Sequence, residues 1–329
     1  MLKEIEQIES TSDDPLLVST PLPLRAVFYP LGFAVEIHTN SKDVLTAAQE
    51  SWGMYKQEFF ERPVEIRVGV AGNTGVCSAV PVFRSQRHLL SIVSDNETFG
   101  LCDLSKGFGY CWTTPGTAKN RPFFRYHFLE GIALCLLGQL YWTPVHAACV
   151  ALHGKGLLLC AQSGTGKSSL ALACARAGWT FISDDAAELI RSRRDRTVVG
   201  NPYHMRFRES ACKLFPDLRQ RLVKVRGNGK VGIELPTAEL GIKTATQSTV
   251  DHIIFLQRRS SGPARLEHFS KDEAFELLSE VARYGEAEVR DAQIESVKHL
   301  LASPVCALSY SDLDSAVERL RLLVETGRD

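Results

Sequence analysis

The chain lacks several features that would have decided its class at once. Its 329 residues carry 38 basic and 38 acidic side chains, so no net field draws it to a nucleic-acid backbone or an anionic membrane. Nine cysteines are scattered without a C-x-x-C pair, and several lie inside apolar runs where a thiol behaves as a small hydrophobe. They read as reduced core residues. No stretch is long and apolar enough to span a bilayer, since the longest such tract, Gly131 to Leu140, is about half a span. The start, MLKEIEQIESTSDDP, has no basic beginning followed by an apolar run, so it is no signal peptide. Internal repeats and low-complexity tracts are also missing. These absences leave a cytoplasmic, non-membrane enzyme with no nucleic-acid partner as the expectation. Apolar content of 44% and 23% charge, over a length that suits about two domains, predict full hydrophobic cores.

Against that background one segment stands out. Residues 161–168 read AQSGTGKS, after the apolar run Gly156 to Cys160 and before a helix-forming run to Arg176. Strand, glycine-rich loop and helix in that order make a phosphate cradle: glycines let backbone N–H groups turn inward, and the helix N-terminus adds partial positive charge. Ala161, Gln162, Ser163, Gly164, Thr165, Gly166, Lys167, Ser168 and Ser169 are thus candidate ATP-binding residues, with Lys167 reaching the β/γ-phosphates and Ser168 offering a hydroxyl to Mg²⁺. Ala161 replaces the first glycine of the G-x-x-x-x-G-K-[ST] pattern, which alanine tolerates if its φ stays negative.

Asp184-Asp185 closes the next apolar run, 17 residues beyond Lys167. A strand, helix, parallel strand unit is expected to bring that strand end beside the loop, where one carboxylate serves Mg²⁺ and the other accepts a proton from an attacking hydroxyl. A solvated acidic turn is the plain alternative. His146 is the third element. His153-Gly154-Lys155 reads as a tight turn joining two antiparallel strands, and counting back across it places His146 opposite about residue 162 or 163, within reach of a phosphate oxygen or of the acids. A core histidine would look the same in sequence.

These residues carry a resemblance. From His146 through AQSGTGKSSLALACARAGWTFISDD the chain resembles the catalytic core of the HPr kinase/phosphorylase family, in which a histidine precedes the loop lysine by 21 residues and a double aspartate follows it by 17. The dense match covers roughly 50 residues, and a looser one most of 144–329. It implies an α/β fold with a P-loop kinase domain of the HPr kinase/phosphoenolpyruvate carboxykinase-like type. It further implies ATP and Mg²⁺ at Lys167 and Ser168, Asp184 as base on a serine hydroxyl, Asp185 assisting with metal, and His146 against phosphate. The family signature E-[IL]-R-G-[LV]-G-[IV], tied to the reverse phosphorolytic reaction, has no clean copy; Tyr203 to Glu209 and Val225 to Lys230 come nearest. The N-terminal part does not resemble the family's usual N-terminal domain, so neither HPr itself as substrate nor the family's hexamers carry over. The chain resembles more closely the looser group of HPr kinase-related enzymes, some of which act on peptides in biosynthetic clusters.

The remaining sequence supplies the frame. Residues 1–20 are polar, acidic and expected to be loosely held. Strands near 25–38, a helix at 42–54 and strands at 64–70, 88–93 and 108–112 form a smaller accessory α/β unit, and turn-rich TTPGTAKNRP sets a boundary at 122. The nucleotide domain is then 123–329, opened by an apolar helix to Leu140 and built on a mostly parallel sheet. Arg206 and Arg208 alternate on a strand and are candidate phosphate ligands. RGNGK at 226–230 suits a mobile loop or an ordinary turn, and RSRRDR at 191–196 a solvated turn. Amphipathic helices at 271–301 and 311–323 serve core packing and subunit contacts, so a homo-oligomer is allowed. The leading expectation is an ATP-dependent kinase phosphorylating a serine-type hydroxyl on a protein or peptide. A small-molecule alcohol as acceptor and a non-catalytic ATP sensor are the alternatives. A GTPase is disfavoured by the lack of N-K-x-D, and a transport ATPase by the lack of L-S-G-G-Q.

Overall fold

Two sheets with separate cores organise the computed structural model, which describes residues 21–77, 79–225, 229, 231–280 and 286–327. The expectation for residues 1–20 lies outside the described residues. The first sheet takes β1 (Leu24–Phe28), β2 (Val35–Thr39), β3 (Val64–Val70), β4 (Val82–Gln86), β5 (Leu89–Val93), β6 (Phe99–Asp103) and β7 (Phe108–Thr113), in the order β1-β2-β3-β7-β6-β5-β4. Alternation in VEIHT and VEIRVGV sends Val35, Ile37, Val64, Ile66 and Val68 inward. Helix α1 (Lys42–Trp52) covers that face, as does a helical run made of α2 (Pro115–Lys119), α3 (Arg121–Phe124), one π-helical turn (Arg125–Leu129) and α4 (Glu130–Leu140).

That run crosses the boundary expected at 122. Phe124, Phe128, Ile132, Leu136 and Leu137 are buried against Ile37 and Ile66 of the first sheet, so the change of core comes near residue 140 rather than 122. A turn-rich segment marks a bend in the chain. It says nothing about which sheet the next apolar helix will cover.

The second sheet holds β8 (Trp142–Val145), β9 (Ala147–Leu152), β10 (Lys155–Cys160), β11 (Thr180–Ser183), β12 (Ala187–Ile190), β13 (Thr197–Gly200), β17 (Lys243–Thr244), β18 (Gln247–Arg258), β19 (Arg265–His268) and β20 (Val305–Tyr310). A small separate sheet is formed by β14 (His204–Phe207), β16 (Val231–Pro236) and β15 (Val223–Val225). The large sheet runs β17-β11-β9-β10-β18-β13-β12-β8, with β20 added to β18. It is mixed and mainly antiparallel, where a mostly parallel one was expected; only β10·β18, β11·β17 and β18·β20 run parallel. Apolar runs bounded by helices show that strands are buried, and leave their direction open.

Burial on both faces explains the runs AACVAL and GLLLC. Leu157 and Leu159 pack beneath α5 (Lys167–Arg176) and α8 (Leu313–Thr326), whereas Leu158 and Cys160 face α6 (Lys271–Ser279) and α7 (Ala287–Leu300). Each such leucine withdrawn from water contributes about 1.5–3 kcal/mol. Aromatic stacking consolidates the first core, with the Phe33 ring 4.2 Å from Phe59 and 5.3 Å from Tyr141. The basic turn at 191–196 also does structural work. The Arg191 guanidinium donates to Gly138 O at 3.0 Å and Gln139 O at 2.6 Å, capping carbonyls at the end of α4, and to Trp142 O of β8.

One side chain fits its surroundings poorly. Glu188 of β12 has a carboxylate oxygen buried without a hydrogen-bond partner, and burial pushes its pKa up to about 8 from 4.5. The folded state keeps the proton that the unfolded state releases, so stability is full below about pH 4.5 and is lost as pH rises toward 8. Glu188→Gln is expected to melt above wild type at pH 8 and to match it near pH 4.5; equal thermal unfolding at both would contradict this assignment.

Candidate active site at a break in the sheet

Candidate residues gather where strands change partners. β8 pairs with β12, and after the single residue His146 the chain continues as β9, paired with β10 and β11. The chain makes the same change between β11 and β12, at Asp184 to Ala186. Backbone at such a break leaves its ladder and frees side chains to face a cleft. The hairpin forms as the sequence predicts: His153 and Gly154, at φ 51° and 79°, make the tight turn of β9 and β10. Cys160 opposes Ala147, so His146 stands level with Ala161, one or two residues short of the position expected.

The 161–168 loop follows β10 and closes on the N-terminus of α5. Gly164 and Gly166 have φ of 93° and 116°, a region closed to most side chains, while Ala161 has no positive φ and so meets the condition set for alanine. Lys167 is 5% exposed, and its ammonium donates to Ala161 O at 2.7 Å and to His146 Nε2 at 3.0 Å. Burial pushes its pKa down, opposed by Asp185 and Asp184. With Nε2 accepting from the ammonium, the His146 proton sits on Nδ1, which faces Asp185 Oδ1 at 3.6 Å.

Asp184 and the loop line one cleft of about 740 Å³. The route differs from the expected one, because β11 is separated from β10 by β9 and does not adjoin it. β9 is antiparallel to both, so the carboxyl ends of β10 and β11 still open on the same side. The two aspartates differ sharply. Asp184 is 7% exposed and accepts the Arg206 backbone N–H at 2.7 Å, while Asp185 is open to solvent. Burial raises the Asp184 pKa to about 6 against the opposing Arg206 amide. Ser168 Oγ lies 3.5 Å from Asp184 O, a long contact.

The arginines divide in a way that spacing did not reveal. Arg208 donates to Ser163 Oγ at 3.0 Å and lies over Gly164. Arg206 contributes its amide to Asp184, and its guanidinium pairs with Glu234 at 3.2 Å, so its charge is not free as expected. Both still line the cleft, together with Ser169 and with Ser210, Lys213 and Arg258, which sequence reasoning missed. Arg258 carried a signal of sorts, a cation at the end of an apolar strand. Four residues of the RGNGK segment, 226–228 and 230, lie outside the described residues.

Hydroxyl and carboxylate oxygens of Ser168 and Asp185 are hard donors of the kind that Mg²⁺ accepts together with water and phosphate, so these residues fit that ion. No group of three or more His, Cys, Asp or Glu suited to a metal occurs among the described residues. No helix among them is long and apolar enough to cross a membrane. Gly164→Ala would set a Cβ 2.9 Å from Arg208 Nη1 at a strained φ. It is expected to lower unfolding free energy by about 1 kcal/mol or more and to weaken tripolyphosphate binding in calorimetry; an unchanged variant would contradict the loop geometry.

Comparison with known proteins follows the same residues. The HPr Serine kinase C-terminal domain model matches residues 141–282. HPr kinase/phosphorylase of Bacillus mycoides (strain KBAB4) is 34% identical over 91 residues, 28% of this chain and 25% of that protein. Its counterpart in Shouchella clausii (strain KSM-K16) is 35% identical over the same shares. The chain thus spans about a quarter of the length of the curated relatives it matches. The solved Hpr(Ser) kinase/phosphatase of Coxiella burnetii aligns at a TM-score of 0.28 and 15% identity, covering 55% of this chain and 98% of that one. From the family match and these relatives, the chain is an HPr kinase-related protein of mixed α/β fold, its relationship lying in the second unit.

Proposed function

We propose that the protein is an ATP-dependent kinase that transfers the γ-phosphoryl group to a serine-type hydroxyl of a protein or peptide. The observation that carries this reading is Asp184, a buried carboxylate held by a backbone amide in the cleft lined by a glycine-rich loop and its lysine. A site for nucleotide binding alone has no need of it.

In this reading the loop amides and Lys167 hold the β/γ-phosphates, and Arg208 braces the loop through Ser163. Ser168 and Asp185 would hold Mg²⁺, which supplies charge neutralisation on the phosphate oxygens. His146 keeps the lysine and Asp185 in register, since it contacts both. The Arg206 amide occupies Asp184 Oδ2, leaving Oδ1 for the acceptor hydroxyl, whose proton passes to it as the new P–O bond forms and the bond from the γ-phosphorus to the β-phosphate oxygen breaks, releasing ADP. A pKa near 6 makes Asp184 a stronger base than an ordinary carboxylate while it stays mainly ionised at neutral pH. The kinase activity named for the relatives supports the reaction class. The acceptor is this reading's own inference, and the phosphorolytic reaction is not part of it.

The test is incubation with γ-labelled ATP, Mg²⁺ and candidate acceptors, including HPr and peptides encoded beside the gene. A serine should become labelled, and Asp184→Asn should cut transfer by about 10²-fold or more while ATP binding stays within about threefold. Transfer by Asp184→Asn at the wild-type rate would remove Asp184 from its role. ATP binding by wild type without labelling of any hydroxyl, on protein or small molecule, would favour a sensor.

A further inference from the structure

On the side of the loop away from the acids lies a second hollow of about 550 Å³, bordered by Ala173 of α5, by Leu214 and Phe215, and by Arg258, Tyr310 and Asp312. Leu214 and Arg258 line both this hollow and the phosphate cleft, so the two spaces meet at those side chains. The sheet order sets their relation. Acids end β11, the loop follows β10, Arg258 ends β18 and Tyr310 ends β20, in the spatial sequence β11-β9-β10-β18-β20. A nucleoside triphosphate whose terminal phosphate faces Asp184 must leave the loop on the β18 side.

We propose that this hollow is the nucleoside subsite of the phosphate cleft, taking the base and ribose of the donor nucleotide, with Arg258 at the junction as the cation for the inner phosphate. The proposal rests on the nucleotide reading of the loop and extends it to a place and a ligand part. The volume falls within the roughly 300–1,000 Å³ of ordinary small-molecule pockets. Its walls combine apolar Ala173, Leu214 and Phe215 with polar Arg176, Ser311, Asp312 and Asp314, a mixture that suits a planar base with a polar sugar. Arg258 is exposed, and its planar guanidinium presents five donors suited to a phosphate.

Tyr310 adds an independent observation. Its side chain is 1% exposed, yet its hydroxyl has no hydrogen-bond partner, and it lies 3.1 Å from where a Cβ on Gly166 would stand. A buried hydroxyl left unpaired costs about 1–3 kcal/mol, so such a group in a native protein calls for a partner that arrives later. Placed between loop and hollow, it is suited to donate to an oxygen of the ribose or inner phosphate.

Filling the hollow separates the subsite from the loop. Ala173→Phe places a ring in it from α5, and Ala177→Trp does so from the exposed end of the same helix, where misfolding is not at issue. Calorimetry would compare ATP with inorganic tripolyphosphate, both with Mg²⁺, on wild type and both variants. The expected result is at least a tenfold loss of ATP affinity with tripolyphosphate within twofold of wild type. ATP affinity unchanged in the soluble Ala177→Trp variant, or equal losses of both ligands, would overturn the subsite while leaving the kinase reading in place. Failure of wild type to bind either ligand would instead sink the nucleotide reading, and this inference with it.

Discussion

A carboxylate with almost no water around it keeps a fixed direction only if the backbone holds it, and one hydrogen bond does so here, from the Arg206 amide to Asp184. Without that donor the buried charge would turn to solvent or take up a proton. The amide belongs to β14, in a small sheet that borders the cleft. β14 in turn follows Tyr203, whose hydroxyl donates to Met54 O and whose ring meets Tyr55 edge-on at 4.8 Å. The first unit therefore bears on the strand that orients the Asp184 carboxylate.

The second unit uses an economy of strands. By splitting what reads as one extended run, Val145 to Leu152, at His146, the chain places an imidazole level with the loop and uses the two halves in different ladders. The break after β11 does the same for the acids. Lys167, His146 and Asp185 then form a row of contacts from a buried ammonium to an exposed carboxylate. Charge of both signs is brought to one rim at low cost, because each group has a neighbour of the other kind or water.

Much of this was legible before any coordinates. The loop, the hairpin turn, the spacing of His146 and Asp184 from Lys167 and most secondary elements follow from local chemistry: turn residues, apolar period and helix ends. What the sequence hid was pairing. Nothing in GWTFIS announces that β11 joins β9 instead of β10, and nothing in the helix from Arg121 to Leu140 names the first sheet as its floor. Arg206 illustrates the same limit. Alternation on a strand aimed it at phosphate, but its partner Glu234 lies opposite it on β16, a neighbour that only the fold supplies. Arg191 looked like one cation in a solvated turn and is instead a cap for a helix about fifty residues earlier in the chain.

The family relationship covers residues 141–282 and falls on the second unit, so it speaks to the phosphate cleft and not to the sheet that precedes it. The account's central claim is spatial: the triphosphate ends in front of Asp184. A crystal structure of the protein with a non-hydrolysable ATP analogue and Mg²⁺ tests it most directly. The account predicts the phosphates in the 161–168 loop, with the terminal one facing the free oxygen of an Asp184 still held by the Arg206 amide. Phosphates bound outside that loop, or an Asp184 carboxylate turned away from them, would contradict it.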